Sequence, residues 1–236
     1  LPSSLLSFQR IGLLRKGAPA GDDTRWFELP ACMIFHTATA WVTGDVVSLF
    51  ACCFESFDLD LDAGPRGKAA FDGFARPCVI ELNLATGVAS RRRLTETAGD
   101  FPVVPADTLG SPTRYAYVAA ANVSLGVPLF DGVAKIDLTA PAGTDATVAR
   151  LAHGPGRHGG EAVFVPDPKR AGQVDGGFLV TYVHEDGQEK SEMVVYDAAT
   201  MASVPVARVA LPARVPHGFH AAHVGEAQLA AQASEE

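Results

Sequence analysis

Positive charge is scarce in this sequence: 19 Lys and Arg stand against 27 Asp and Glu, a formal net charge of −8. A chain of that sign lacks the basic face on which nucleic-acid binding rests, so no nucleic acid is expected among its partners. Long apolar runs are missing too. No stretch of about 18 apolar residues occurs, so the sequence indicates no transmembrane helix. The cysteines, Cys32, Cys52, Cys53 and Cys78, fit no zinc spacing. They read as reduced core thiols of an intracellular protein, with Cys52 and Cys53 on opposite faces of one strand. The sequence holds no G-x-S-x-G, no P-loop and no GxGxxG. "GPGRHGG" (154–160) is glycine-rich, but an apolar strand follows it, so the anion-binding helix terminus is lacking. The opening "LPSSLLSFQRIGLLRKG" begins with Leu and shows none of the parts of a secretory signal. We read the chain as lacking its natural N-terminus, with any targeting segment outside it.

Helical periodicity is also nearly absent. Hydrophobic residues are 47% of the chain, enough for a sizeable core, but they come in short runs rich in Val, Ile, Phe and Tyr. Gly, Pro, Asp and Ala-rich breaks separate the runs, a grammar of strands and turns. Strands are expected at 31–41, 45–54, 78–84, 88–94, 114–121, 132–138, 146–152, 161–166, 177–184, 191–197 and 203–210. The only helix-like stretch is 225–233, GEAQLAAQA. The expected fold class is therefore all-β.

A repeat runs through these strands. "IELNLATG" (80–87), "KIDLTAPAG" (135–143) and "VVYDAATM" (194–201) each close an apolar strand with Asn or Asp and a turn. A second strand follows each: "VASRRRL", "ATVARLA" or "SVPVARVA". Asn83, Asp137 and Asp197 fall in register at intervals of 54 and 60. Units of about that length with four strands each are the mark of propeller blades, and a generic β sandwich is the alternative. The chain has room for roughly three to four blades.

The candidate chemistry lies in histidines and carboxylates. His36 sits in the apolar run "ACMIFHTATAW", where Ile34 and Ala38 share its face. An imidazole there must be paired, liganded or neutral, and a satisfied core histidine is the plain alternative. "RVPHGFHAAHV" (214–224) carries His217, His220 and His223. Pro216 and Gly218 oppose a helix, and in an extended chain residues three apart face opposite ways, so at most one of the three aims at a shared centre. Asp100, Glu161 and Glu192 border strand-like runs, where a carboxylate can fix a ligand histidine's tautomer or simply be solvated. His153, His158 and His184, beside Gly, Arg, Glu and Asp, read as surface residues.

In order and spacing, several segments resemble the carotenoid cleavage dioxygenases, the family that includes the plant 9-cis-epoxycarotenoid dioxygenases. They are "RWFELPACMIFHTATAW" (25–41), "DFPVVPADTLGSPTRYAY" (100–117), "FDGVAKIDL" (130–138), "HGGEAVFVPDP" (158–168), "DGGFLVTYVHED" (175–186) and the run from Ser191 to His220. The resemblance covers the chain from about residue 10 onward and matches the family's C-terminal part. It implies residues 1–236 as the C-terminal portion of one seven-bladed propeller domain capped by helices.

It also implies a non-haem Fe(II) held by four histidines. His36 and His220 take two of those places, and the other two fall upstream of residue 1. Asp100 is placed behind His36 and Glu161 behind His220. Phe35 and Phe219 take the places of aromatics lining a substrate tunnel. The implied reaction joins O2 to a carotenoid or apocarotenoid and splits one double bond into two carbonyl products, an activity of the full-length protein and not of this chain alone. The implied location is the plastid in a photosynthetic eukaryote and the cytoplasm otherwise, with peripheral membrane contact through the cap.

The sequence departs from the family at two points. Asp100 stands where members usually carry Glu, and Val42 follows Trp41 where an acid is common. Two other readings stay open: a metal-free binding propeller, and a retinoid-ester isomerase of the same fold.

Overall fold

The computed structural model describes residues 8–19, 24–55, 73–125, 129–217 and 220–233. Strands dominate. A ribbon of β1 (Phe8–Leu13) and β2 (Arg25–Pro30) comes first. An antiparallel four-stranded sheet follows: β3 (Met33–Thr43), β4 (Val46–Phe54), β5 (Arg76–Asn83) and β6 (Ala89–Arg93). A second meander is built from β7 (Gly99–Val103), β8 (Tyr115–Ala121), β9 (Phe130–Asp137) and β10 (Thr147–Ala152). A third consists of β12 (Val163–Pro166), β13 (Gly177–Glu185), β14 (Ser191–Asp197) and β15 (Ala207–Ala210). The short strand β11 (Arg157–Gly159) pairs with both β9 and β13 and ties the second meander to the third. Among the described residues one α-helix, α1 (Glu226–Ala233), follows the third blade. The chain is all-β and forms three blades of a β-propeller.

The repeat read from the sequence has a local physical cause. Asn83, Asp137 and Asp197 end the third strand of each blade. The side-chain oxygen of Asn83 accepts from Ala85 N–H and Thr86 N–H at 3.0 and 2.8 Å. Asp137 accepts from Thr139 N–H at 2.9 Å. Asp197 accepts from Ala199 N–H and Thr200 N–H at 3.0 and 2.8 Å. Each is an Asx turn, in which a short polar side chain satisfies backbone donors that the hairpin leaves unpaired.

The blades stack face to face, and this explains why their strands are apolar on both sides. Phe50, Cys52 and Val79 of the first blade pack with Ala116, Val118 and Ile136 of the second. Tyr117, Val133 and Leu151, on the other face of the second blade, pack with Leu179, Val194 and Tyr196 of the third. On the remaining face of the first blade, Ala51, Cys53, Ile80 and Leu82 are covered by Phe27 and Leu29 of the β1–β2 ribbon. Cys52 and Cys53 thus belong to different cores, as alternation along a strand requires. All four cysteines are free thiols.

His153, His158 and His184 depart from the surface placement expected of them: they are 3%, 7% and 8% exposed. Their neighbours in sequence are polar, but residues distant in the chain enclose them: Tyr196 stands beside His153, His217 packs against His158 and His184, and Arg214 lies against His184. His153 Nδ1 lies 2.9 Å from the hydroxyl of Tyr196, and burial, with the nearby Arg157 charge, lowers its pKa to about 4. His158 and His184 face each other across β11 and β13.

Candidate functional site

The first strand of each blade, or the connection just before it, delivers one part of the site. His36 lies on β3, Asp100 on β7, and Glu161 in the connection between β11 and β12. The fourth residue, His220, arrives from the segment beyond the third blade.

Irregular backbone aims the first pair. The β3–β4 register shifts between Ile34 and Thr37 and again between Thr37 and Thr39, so His36 sits inside a bulged stretch. The β7–β8 register shifts between Asp100 and Val103. In that gap Phe101 adopts φ +53°, a left-handed conformation costly for a bulky side chain. Bulges let a strand present a side chain off its regular alternation, and here both members of a pair depend on one.

His36 Nδ1 is 3.0 Å from Asp100 Oδ1. The length is that of a hydrogen bond, although the N–H points off the line to the oxygen. The same oxygen accepts from Phe101 N–H at 2.9 Å. Burial pushes the Asp100 carboxyl above its usual range, and the His36 contact and the Phe101 N–H oppose that shift.

The second pair is held by better-aligned bonds. His220 Nδ1 is 3.1 Å from Glu161 Oε2, and Ala221 N–H donates to the same oxygen at 2.9 Å. Glu161 therefore fixes both the ring and the backbone beside it.

The pairs converge. The rings of His36 and His220 meet edge to face at 75°, with centroids 4.9 Å apart. Phe101 packs against both, at 4.7 Å from His36 and 5.5 Å from His220, and against Phe130 at 5.3 Å. Phe35 is 45% exposed and stacks edge-on against Phe54 at 5.4 Å. Phe219, named with Phe35 as a tunnel aromatic, lies outside the described residues.

The other candidates go elsewhere. His217 turns away from His220 and packs edge-on against His184 and His158, at 5.8 and 6.2 Å. His223 is exposed. Glu192 pairs with Arg157 and with Arg208 in the third blade. Phe101 is the residue that sequence reasoning missed. Its signal, an aromatic between Asp and Pro, becomes readable only once the bulge is known. Among the described residues, no group of three or more His, Cys, Asp or Glu is arranged to hold a metal ion. The chain contributes two imidazoles with a carboxylate behind each.

The chain is similar to known proteins over most of its length. Residues 7–225 match the family model RPE65, described as retinal pigment epithelial membrane protein. Carotenoid 9,10(9',10')-cleavage dioxygenase 1 of Arabidopsis thaliana is 38% identical over 232 residues, 94% of this chain and 42% of that protein. A 9-cis-epoxycarotenoid dioxygenase of Oryza sativa subsp. japonica, named chloroplastic, is 35% identical over 228 residues, 94% of this chain and 34% of the relative. Cobalt-substituted apocarotenoid oxygenase of Synechocystis superposes with a TM-score of 0.77 at 23% identity, covering 89% of this chain and 43% of that one. The chain spans about two fifths of the length of the first of these relatives. The three-blade sheet order, the matched residues and these relatives together show that the chain belongs to the RPE65 family, with the carotenoid cleavage dioxygenases.

Proposed function

We propose that this chain supplies half of the histidine set of a non-haem ferrous centre, in a dioxygenase that splits one double bond of a carotenoid or apocarotenoid into two carbonyl products. The observation that supports it is the meeting of two histidine–carboxylate pairs, His36–Asp100 and His220–Glu161, with their rings 4.9 Å apart. The donor set suits iron. Neutral imidazoles bind a divalent first-row ion without adding charge, and two more from sequence outside this chain would complete four. Bound there, Fe(II) would supply the site at which O2 and a polyene double bond are brought together.

The residues present do the holding. Each carboxylate faces Nδ1, which fixes the ring's orientation and directs Nε2 toward the ion. Phe101 presents an apolar face to both imidazoles. Phe35 and Phe130 extend aromatic surface toward a hydrocarbon, which offers no hydrogen bonds and must be selected by shape. In this reading the chain is the C-terminal portion of one propeller domain.

The test uses protein that includes both further histidines. The expected result is bound iron, O2 uptake, and loss of carotenoid visible absorbance with aldehyde products. A metal-free protein would sink the reading. A retinoid-ester isomerase of this fold would bind the metal and turn over without consuming O2, and the family's description as a retinal pigment epithelial protein keeps that second reading in the experiment.

A further inference from the structure

The outer face of the first blade gathers three thiols that the proposed oxygenase chemistry does not use. Cys32 lies in the two-residue connection between β2 and β3, Cys53 near the end of β4, and Cys78 on β5. Cys53 stands opposite Ile34 in the β3–β4 register, so Cys32, two residues before Ile34, is its diagonal neighbour on the same face. Cys53 and Cys78 lie in one buried cluster, and Cys32 packs against it. No disulfide links them.

The three are not equivalent. Cys53 and Cys78 are 3% and 1% exposed, whereas Cys32 is only half-buried. Gln9 of β1 clamps Cys32 from outside: its Nε2 donates to Sγ at 3.0 Å, and Cys32 N–H donates to its Oε1 at 3.3 Å. Arg91 of β6 approaches from below, its side chain only 12% exposed. One terminal nitrogen of that guanidinium bonds Glu55 at 2.9 Å, and the other is buried with no hydrogen-bond partner among the described residues. Arg93, paired with both Glu55 and Glu96, adds further charge at this corner. A thiolate is the reactive form of cysteine, and donors and positive charge around the sulfur favour it. The Cys53 S–H, then the Arg91 charge and the Gln9 donor, lower the Cys32 thiol to about 6 against the opposing effect of burial. The neighbouring Cys32 and Cys78 sulfurs, with burial, push Cys53 up, and it stays a thiol.

We propose that Cys32 is a peroxide-reactive thiolate and Cys53 its resolving partner, making the outer face of the first blade a two-cysteine oxidation site separate from the imidazole pair. In the first step the Cys32 sulfur attacks one oxygen of a hydroperoxide. An S–O bond forms, the O–O bond breaks, and the leaving oxygen takes up a proton as water or alcohol, leaving a sulfenic acid. In the second step Cys53 attacks the sulfenic sulfur. The S–S bond forms, the S–O bond breaks, and hydroxide leaves as water with the proton of Cys53. The two sulfurs lose two electrons and the peroxide gains them. Diagonal neighbours on a sheet start about 7–8 Å apart at Cα, and a disulfide needs less than about 7 Å, so closure draws the short β2–β3 connection inward by about 1 Å.

The test treats the chain with hydrogen peroxide and maps its cysteines by mass spectrometry. The expected product is a peptide pair joined through Cys32 and Cys53, with Cys52 and Cys78 still reduced. In Cys53→Ser, a dimedone adduct accumulates at Cys32 instead. A second readout is the pH profile of iodoacetamide labelling at Cys32 in the unoxidised protein. Its midpoint lies near 6, and it rises in Gln9→Ala, which alters only the outer clamp, and in Arg91→Gln. Oxidation spread evenly over the four cysteines, labelling at Cys32 only in urea, or a disulfide that survives Cys53→Ser by using Cys78 would each overturn the proposal.

Discussion

His36 and His220 are separated by 184 positions in the chain, yet their rings meet edge to face with centroids 4.9 Å apart. Each is backed at Nδ1 by a carboxylate from a different segment, Asp100 or Glu161. The two backings differ in quality. Glu161 binds its ring and the adjacent Ala221 N–H, whereas Asp100, one methylene shorter than Glu, reaches His36 with the N–H off line.

That difference sets an order of effects on metal affinity. Outer carboxylates of ligand histidines contribute about 10- to 100-fold to metal binding. Titrating the chain with Co(II) and following the ligand-field bands should show weak binding that either His36→Ala or His220→Ala removes. Glu161→Ala should weaken it by about 10- to 100-fold, and Asp100→Ala by less. Asp100→Glu should tighten binding. An equal loss for Glu161→Ala and Asp100→Ala would remove the distinction drawn between the two pairs.

Stability should fall in acid through His153. Its ring is 3% exposed, and the folded pKa is about 4 against an ordinary value of 6.5. Between these values the unfolded chain binds more protons than the folded one, so stability rises with pH. The contribution is full above about pH 6.5 and is lost progressively as pH falls toward 4. At 1.36 kcal/mol per pH unit the total is on the order of 3 kcal/mol. Urea unfolding of the chain at pH 7 and pH 4.5 measures it. In His153→Gln, which keeps a polar partner for Tyr196, the difference between the two pH values should shrink by about that amount.

Much of the fold was legible because its signals are local. The Asx turns at Asn83, Asp137 and Asp197 occupy a few residues each, and the side-chain oxygen that makes the turn is written in the sequence. The strand runs they close are apolar enough to identify. Strands β1, β2, β7 and β11 were not read. β7 holds a glycine and a proline in five residues, and β11 is a three-residue tie whose partners lie in other blades. The buried His153, His158 and His184 were misplaced for a related reason: their enclosure comes from Tyr196, Arg214 and His217, far along the chain, and leaves no trace in their polar neighbours. For the site, the residues themselves were named from family resemblance. Phe101 was not, since its position depends on a register shift that no periodicity records.

Close approach between β9 and β10 leads to a sharper stability prediction. A Cβ built at Gly132 would lie 2.0 Å from the carbonyl oxygen of Leu151, a backbone atom that cannot swing aside. Gly132→Ala must therefore separate the two outer strands of the second blade. The expected cost is about 2–3 kcal/mol in chemical denaturation, the upper part of the range for overpacking. Gly143→Ala is the comparison. Nothing lies near its Cβ, but its φ is +83°, so its cost is backbone strain alone, about 1 kcal/mol.

Lys135 should be the strongest polar link between the second and third blades. It lies on β9 of the second blade with its side chain 5% exposed. Its ammonium donates to Asp175 at 2.6 Å and to the Ala198 and Ala199 carbonyls at 3.1 and 3.4 Å, all in the third blade, and it lies 4.2 Å from the Tyr115 ring centroid. Removing one member of a buried pair costs about 3–5 kcal/mol, because the other is left uncompensated. Asp175 is 25% exposed and can recover some hydration, so Lys135→Ala should fall at the low end, about 3 kcal/mol. Lys135→Met keeps the stem packed against Tyr117 and should cost less. A double-mutant cycle with Asp175→Asn separates charge pairing from packing. A coupling of about 1–3 kcal/mol is expected, and a value near zero would assign the stabilisation to the carbonyl contacts and the aromatic ring instead.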